Sequence, residues 1–97
     1  MARAVRQPVD RRSLADQYVT DFSLFIKKRC PEAHLEISFT RYEEEDAHIR
    51  VFPPETLSEK ECERLGHEIA ERSIDILLET GLLILAGVYE PQQRGKW

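Results

Sequence analysis

Residues Ser58–Val88, SEKECERLGHEIAERSIDILLETGLLILAGV, decide the fold of this chain. Ser58 and Glu61 have the spacing of a capping box, in which each side chain accepts a hydrogen bond from the other residue's backbone N–H at a helix start. The apolar residues that follow recur at helical spacing, and they are Cys62, Leu65, Ile69, Ile76 and Leu77. Gly81 then ends the helix, because glycine adopts the left-handed conformation at little cost. The apolar run Leu82–Val88 comes directly afterwards and predicts a strand buried on both faces.

Three further periodic segments precede this unit. A stripe of apolar residues between Ser13 and Pro31 predicts a first helix, with the serine as its cap and the proline as its stop. From Leu35 the apolar period changes to two, and a second alternating run covers Ala47–Phe52. These two runs predict strands, and the short charged segment between them predicts an antiparallel hairpin.

The resulting order of helix, strand, strand, helix and strand predicts an α+β two-layer sandwich. Both helices are expected on one face of a three-stranded sheet, because each helix has only one apolar side. The strand–helix–strand crossover makes the third strand parallel to the second, but it leaves open whether that strand lies beside the first or the second. We expect residues 13–90 to form a single domain, residues 1–12 a flexible basic arm, and residues 91–97 a basic C-terminal tail.

The third predicted strand has more apolar side chains than two helices on one face can cover. The sequence does not decide which of two alternating sets of side chains faces away from the helices: Leu83, Leu85 and Tyr89, or Leu82, Ile84 and Val88. Phe52 of the second strand adds to the same face. Because a monomer rarely exposes such a strip, burial against a second copy is the simplest remedy. We therefore predict a homodimer or higher assembly with an interface of Phe52, Leu83, Leu85 and Tyr89.

The charge of the chain is −4 at pH 7 and is unevenly distributed. Residues 1–12 carry +3 and residues 91–97 carry +2, so residues 13–90 carry −9. An acidic body repels a phosphate backbone, so binding of nucleic acid is an alternative that depends on the two ends alone. Its candidate contacts are Arg3, Arg6, Arg11, Arg12, Arg94 and Lys96.

Nothing in the sequence has the pattern of a targeting or membrane segment. Residues 1–12 lack the apolar core of a signal peptide, and no apolar run reaches the roughly 18 residues of a transmembrane helix. Cys30 and Cys62 lack metal-ligand spacing and are best interpreted as reduced thiols. We expect a cytoplasmic protein without a membrane partner.

Polar residues of the first two strands provide a third hypothesis. His34, Glu36, His48 and Arg50 fall on one face of the predicted sheet. If His48 pairs with Thr40, the two histidines are separated by roughly 20 Å. If the register is shifted by one pair, they are separated by about 13 Å. Both distances are too long for the two histidines to bind one ion. We therefore predict no metal and no cofactor within one chain, and we keep these four residues as an alternative small-ligand or metal site between subunits.

No catalytic motif is present in the sequence, neither Gly-x-Ser-x-Gly nor a phosphate loop nor a zinc-binding helix. We therefore predict a non-catalytic module that interacts with itself and with a protein partner the sequence does not identify. The element order resembles that of a type II KH domain and is similar to that of the cytoplasmic domains of cation-efflux transporters. The Gly-x-x-Gly of the first family is missing, and the histidine-rich ligand set of the second is not reproduced, so neither resemblance assigns a family.

Overall fold

The computed structural model describes residues 11–40 and 44–95. In chain order the elements are α1 (Arg11–Arg29), β1 (His34–Ser38), β2 (Ala47–Phe52), α2 (Glu59–Thr80), β3 (Ile84–Val88) and a short 3₁₀-helix (Pro91–Gln93). The predicted α+β class and element order are confirmed.

Both predicted ends of α2 are confirmed by their hydrogen bonds. The Ser58 hydroxyl accepts from the Glu61 N–H at 3.1 Å, and the Glu61 carboxylate accepts from the Ser58 N–H at 2.9 Å. Gly81 has φ +80° and donates its N–H to the Leu77 carbonyl at 2.8 Å. The helix therefore begins and ends where local sequence signals require.

Helix α1 begins at Arg11, two residues before the predicted cap at Ser13. The Arg11 guanidinium donates to both carboxylate oxygens of Asp46, at 2.6 and 3.0 Å, and to the Gly81 carbonyl at 2.9 Å. Contacts with distant residues thus hold the first described turn of α1. Residues 1–10 of the predicted arm lie outside the described residues.

The strand order is β1-β2-β3, which decides the alternative that the sequence left open. Strand β1 is antiparallel to β2, and β3 is parallel to β2. Ser38 lies opposite His48 and Glu36 lies opposite Arg50, so the register differs by one pair from the expected pairing of His48 with Thr40.

The core lies between the helices and one face of this sheet. Its fully buried side chains come from both helices and from alternate strand positions: Phe22, Ile26, Ile49, Val51, Ile69, Ile76, Leu82 and Ile84. Because Leu82 and Ile84 point into this core, the outward set is the one that contains Leu83, Leu85 and Tyr89. Both helices therefore cover the same face of the sheet, and the other face is left to the C-terminal segment and to solvent.

Candidate functional site

The sheet face opposite the helices, which we call the open face, has a packed ion pair at its centre. Arg50 donates from Nη2 to Glu36 Oε1 at 3.2 Å, and the arginine is buried. Its guanidinium lies 5.3 Å from the ring centroid of Tyr89 and 5.8 Å from that of Phe52. Arg50 is therefore held by groups of its own chain.

The C-terminal segment folds back onto this ion pair. The Gly95 N–H donates to both carboxylate oxygens of Glu36, at 2.7 and 2.9 Å. This backbone donor, together with His34 at 3.3 Å and the charge of Arg50, lowers the pKa of Glu36. Gly95 of the predicted tail thus contacts β1.

His48 lies apart from the other three polar candidates. Its Nε2 is 3.0 Å from the Tyr89 hydroxyl, and burial, aided by the charge of Arg50, lowers the pKa of the imidazole. The observed register places His48 four residues along the sheet from His34, or about 13 Å. In the described part of the chain no group of three or more His, Cys, Asp or Glu side chains is arranged to hold a metal ion. Glu36 joins His34 and Arg50, and a site completed by a second subunit stays a prediction.

Phe52 is not part of an exposed strip, because only 3% of it is accessible. The rings of His34 and Tyr89 lie 5.8 and 6.3 Å from its centroid. Leu83 and Tyr89 are half-buried, whereas Leu85 is 41% exposed. The exposed apolar surface of the open face is therefore concentrated along β3.

A second apolar surface lies on α2, where the sequence pattern did not indicate one. Ile74, Leu77 and Leu78 are 55%, 40% and 79% exposed. The spacing of Leu77 had placed it in the core stripe. Ile74 and Leu78 fall outside that stripe and are four residues apart, which is the signal that could have revealed them.

The contacts of α2 show which way this second surface faces. On one side, Glu68 accepts from Arg29 of α1 at 2.8 Å. On another, the Ser73 hydroxyl donates to the Ile84 carbonyl of β3 at 2.5 Å. At about 100° per residue, Leu77 and then Ile74 follow Ser73 around the helix, away from α1. Leu77 therefore lies beside the outer side of β3, and Ile74 lies about 60° further round the helix, towards solvent.

The outer backbone edge of β3 completes this surface. Asp46 donates its N–H to the Leu83 carbonyl at 2.7 Å, and Tyr89 donates to the Val51 carbonyl at 2.9 Å. Successive residues of a strand direct their backbone groups to opposite edges, so Ala86 and Val88 direct theirs away from β2. Among the described residues, β2 is the only strand paired with β3. We define the β3-edge surface as this backbone edge together with Ile74, Leu77, Leu83 and Leu85.

The basic residues suggested for nucleic-acid binding are partly engaged within the fold. Arg11 is paired with Asp46, and the Arg12 guanidinium lies 3.9 Å from the ring centroid of Phe39. Arg94 is exposed. The other three candidates, Arg3, Arg6 and Lys96, lie outside the described residues, and nucleic-acid binding stays a prediction.

The fold and its exposed surfaces define a small two-layer α+β domain with an apolar strand edge. Neither helix of the described residues is long and apolar enough to cross a bilayer. Comparisons of the chain with protein-family models, curated proteins and solved structures found no match. Its function is therefore inferred from the geometry of these surfaces.

Proposed function

We propose that this chain is a homotypic interaction module in which two copies pair through the β3-edge surface. The observation that supports this proposal is the coincidence of an outward backbone edge at Ala86 and Val88 with exposed apolar side chains on both sides of it. Leu77, with Ile74 beyond it towards solvent, flanks the edge on the helix side, and Leu85 flanks it on the open face. Antiparallel pairing of two β3 strands about a two-fold axis joins two three-stranded sheets into one.

The apolar area involved is suited to a weak, reversible association. The exposed fractions of Ile74, Leu77 and Leu85 amount to somewhat more than one fully exposed aliphatic side chain per protomer. Burying them in both protomers contributes on the order of 4–8 kcal/mol. The loss of translational and rotational freedom costs roughly 4–15 kcal/mol. Since these terms nearly cancel, the backbone hydrogen bonds at the edge decide whether the pair forms.

Sedimentation equilibrium across the micromolar range tests the proposal with two variants. Ile74→Glu introduces a charge into the interface and is expected to shift the chain to monomer. Ala86→Pro removes an outward N–H without touching the hydrogen bonds to β2, because proline is tolerated at a strand edge whose N–H faces solvent. It is expected to abolish pairing while leaving a folded monomer.

Leu24→Glu is the matched control, since Leu24 is 63% exposed on α1 and lies outside the β3-edge surface. It is expected to associate like the unmodified chain. A chain that stays monomeric at the highest concentration refutes the proposal. So does an assembly that Ile74→Glu and Leu24→Glu weaken equally.

A further inference from the structure

A cleft of about 380 Å³ opens beyond the carboxyl ends of β2 and β3, away from Ile74 and Leu85 of the β3-edge surface. Its apolar lining includes Leu57, Cys62 and Val88. The volume falls within the range of small-ligand sites. The carboxyl ends of neighbouring parallel strands are also where ligands bind in many open sheets.

The local sequence explains why this space is left open. Pro53 and Pro54 follow β2 directly and cannot extend its hydrogen-bonded ladder. The chain turns there, with the Leu57 N–H donating to the Pro54 carbonyl at 3.1 Å, and then enters α2. Helix α2 comes close to Val88 at Gly66, two turns from its start, and the side chains before this point line the cleft.

The charge around the cleft selects the kind of ligand. Glu55, Glu59 and Glu90 contribute three carboxylates, and the described residues that line the cleft include no Lys, Arg or His. The start of α2 adds about half a positive charge, which the three carboxylates outweigh. The net negative charge at the cleft therefore disfavours binding of an anion and favours binding of a cation.

We infer that this cleft binds a small amphipathic cation, with an alkyl or aromatic body against Leu57 and Val88 and an ammonium or guanidinium group among the carboxylates. The inference does not depend on self-association, because the cleft is complete within one chain. Exposed ion pairs are individually weak, so the apolar body supplies much of the affinity and the carboxylates supply the selectivity for charge.

Octylammonium is a suitable probe, with octyl sulfate as the matched anion and methylammonium as a head group without the body. Titrations followed by amide chemical shifts are expected to move the signals of Leu57, Cys62 and Val88 with octylammonium. Octyl sulfate is expected to bind on the order of tenfold more weakly, and methylammonium, which lacks the apolar body, at least about a hundredfold more weakly. Cys62 gives an independent readout, because it is partly exposed in the lining whereas Cys30 is buried. Bound octylammonium is expected to slow alkylation of Cys62.

Variants of the acidic residues distinguish specific binding in the cleft from non-specific binding of octylammonium to the protein surface. Glu59→Gln combined with Glu90→Gln is expected to weaken octylammonium binding several-fold. Glu71→Gln, on the exposed side of α2, is expected to leave it unchanged. Because all three positions are exposed, folding should be retained, and the amide spectrum checks this. Equal binding of octylammonium and octyl sulfate, shifts centred outside the cleft, or an unaffected double variant would each overturn the inference.

Discussion

Replacing Asp46 by alanine tests the contact that joins the start of α1 to the sheet. The buried carboxylate accepts from Arg11 Nε and Nη2, and it accepts from the Leu83 N–H at 2.9 Å. Alanine removes all three hydrogen bonds and leaves the partly buried Leu83 N–H without its acceptor. Arg11 is half-exposed, so water replaces much of what its guanidinium loses.

The size of the effect follows from these unequal losses. An N–H deprived of its partner costs about 1–3 kcal/mol, and loss of hydrogen bonds to a charged group adds to this. We expect the free energy of unfolding to fall by about 2–4 kcal/mol. For a domain of this size each kcal/mol corresponds to roughly 4–8 °C, so Tm should fall by on the order of 10–25 °C. Urea unfolding followed by circular dichroism measures the first quantity, and a thermal scan measures the second.

Asp21→Ala is the matched control, because Asp21 is an exposed aspartate of α1. It is expected to change the free energy of unfolding by less than about 0.5 kcal/mol. Arg11→Ala should destabilise the chain less than Asp46→Ala, since it leaves the Leu83 N–H paired. If Asp46→Ala and Asp21→Ala unfold at the same urea concentration, the assigned role of Asp46 is wrong.

Two other perturbations have outcomes of known sign. Gly81→Ala should cost about 1 kcal/mol in urea unfolding, because φ +80° strains any residue with a Cβ even though the space around it is open; an unchanged midpoint would contradict this. His48 has a lowered pKa in the fold, so its stabilising contribution is present above its unfolded pKa of about 6.5 and is lost as pH falls through the lower folded value. His48→Gln should therefore flatten the decline in stability below neutral pH, whereas His67→Gln, at an exposed position, should preserve it.

The features that local residues determine could be predicted from the sequence. The Ser58–Glu61 capping box and the Gly81 stop each depend on residues within one helical turn, and both occur where expected. The alternation of apolar residues likewise identified β1 and β2, and the continuous apolar run identified β3. Which apolar set of β3 faces outward could not be decided locally, because it depends on where the helices pack.

Contacts between distant residues account for the differences. Asp46 belongs to a charged segment that is typical of a solvated hairpin tip, but its partner Arg11 lies 35 residues away. The burial of Phe52 depends on Tyr89 and His34 closing over its ring. The exposed flank of α2 at Ile74 depends on how far the helix is rotated about its axis when it docks. None of these three features can be predicted from a short window of sequence, because each depends on residues that are distant in the chain.

The Ser73 hydroxyl donates a hydrogen bond to the Ile84 carbonyl, so this carbonyl cannot accept from the backbone of a second strand. The part of the β3 edge that is open to pairing is therefore shorter. Long, flat sheet edges promote aggregation, because further strands pair with their exposed backbone groups. Here α2 itself supplies the hydrogen-bond donor for the first outward carbonyl of β3, so a pairing strand has only a short stretch of backbone to bind. A single side chain thereby limits the length over which a second β-strand can pair with β3.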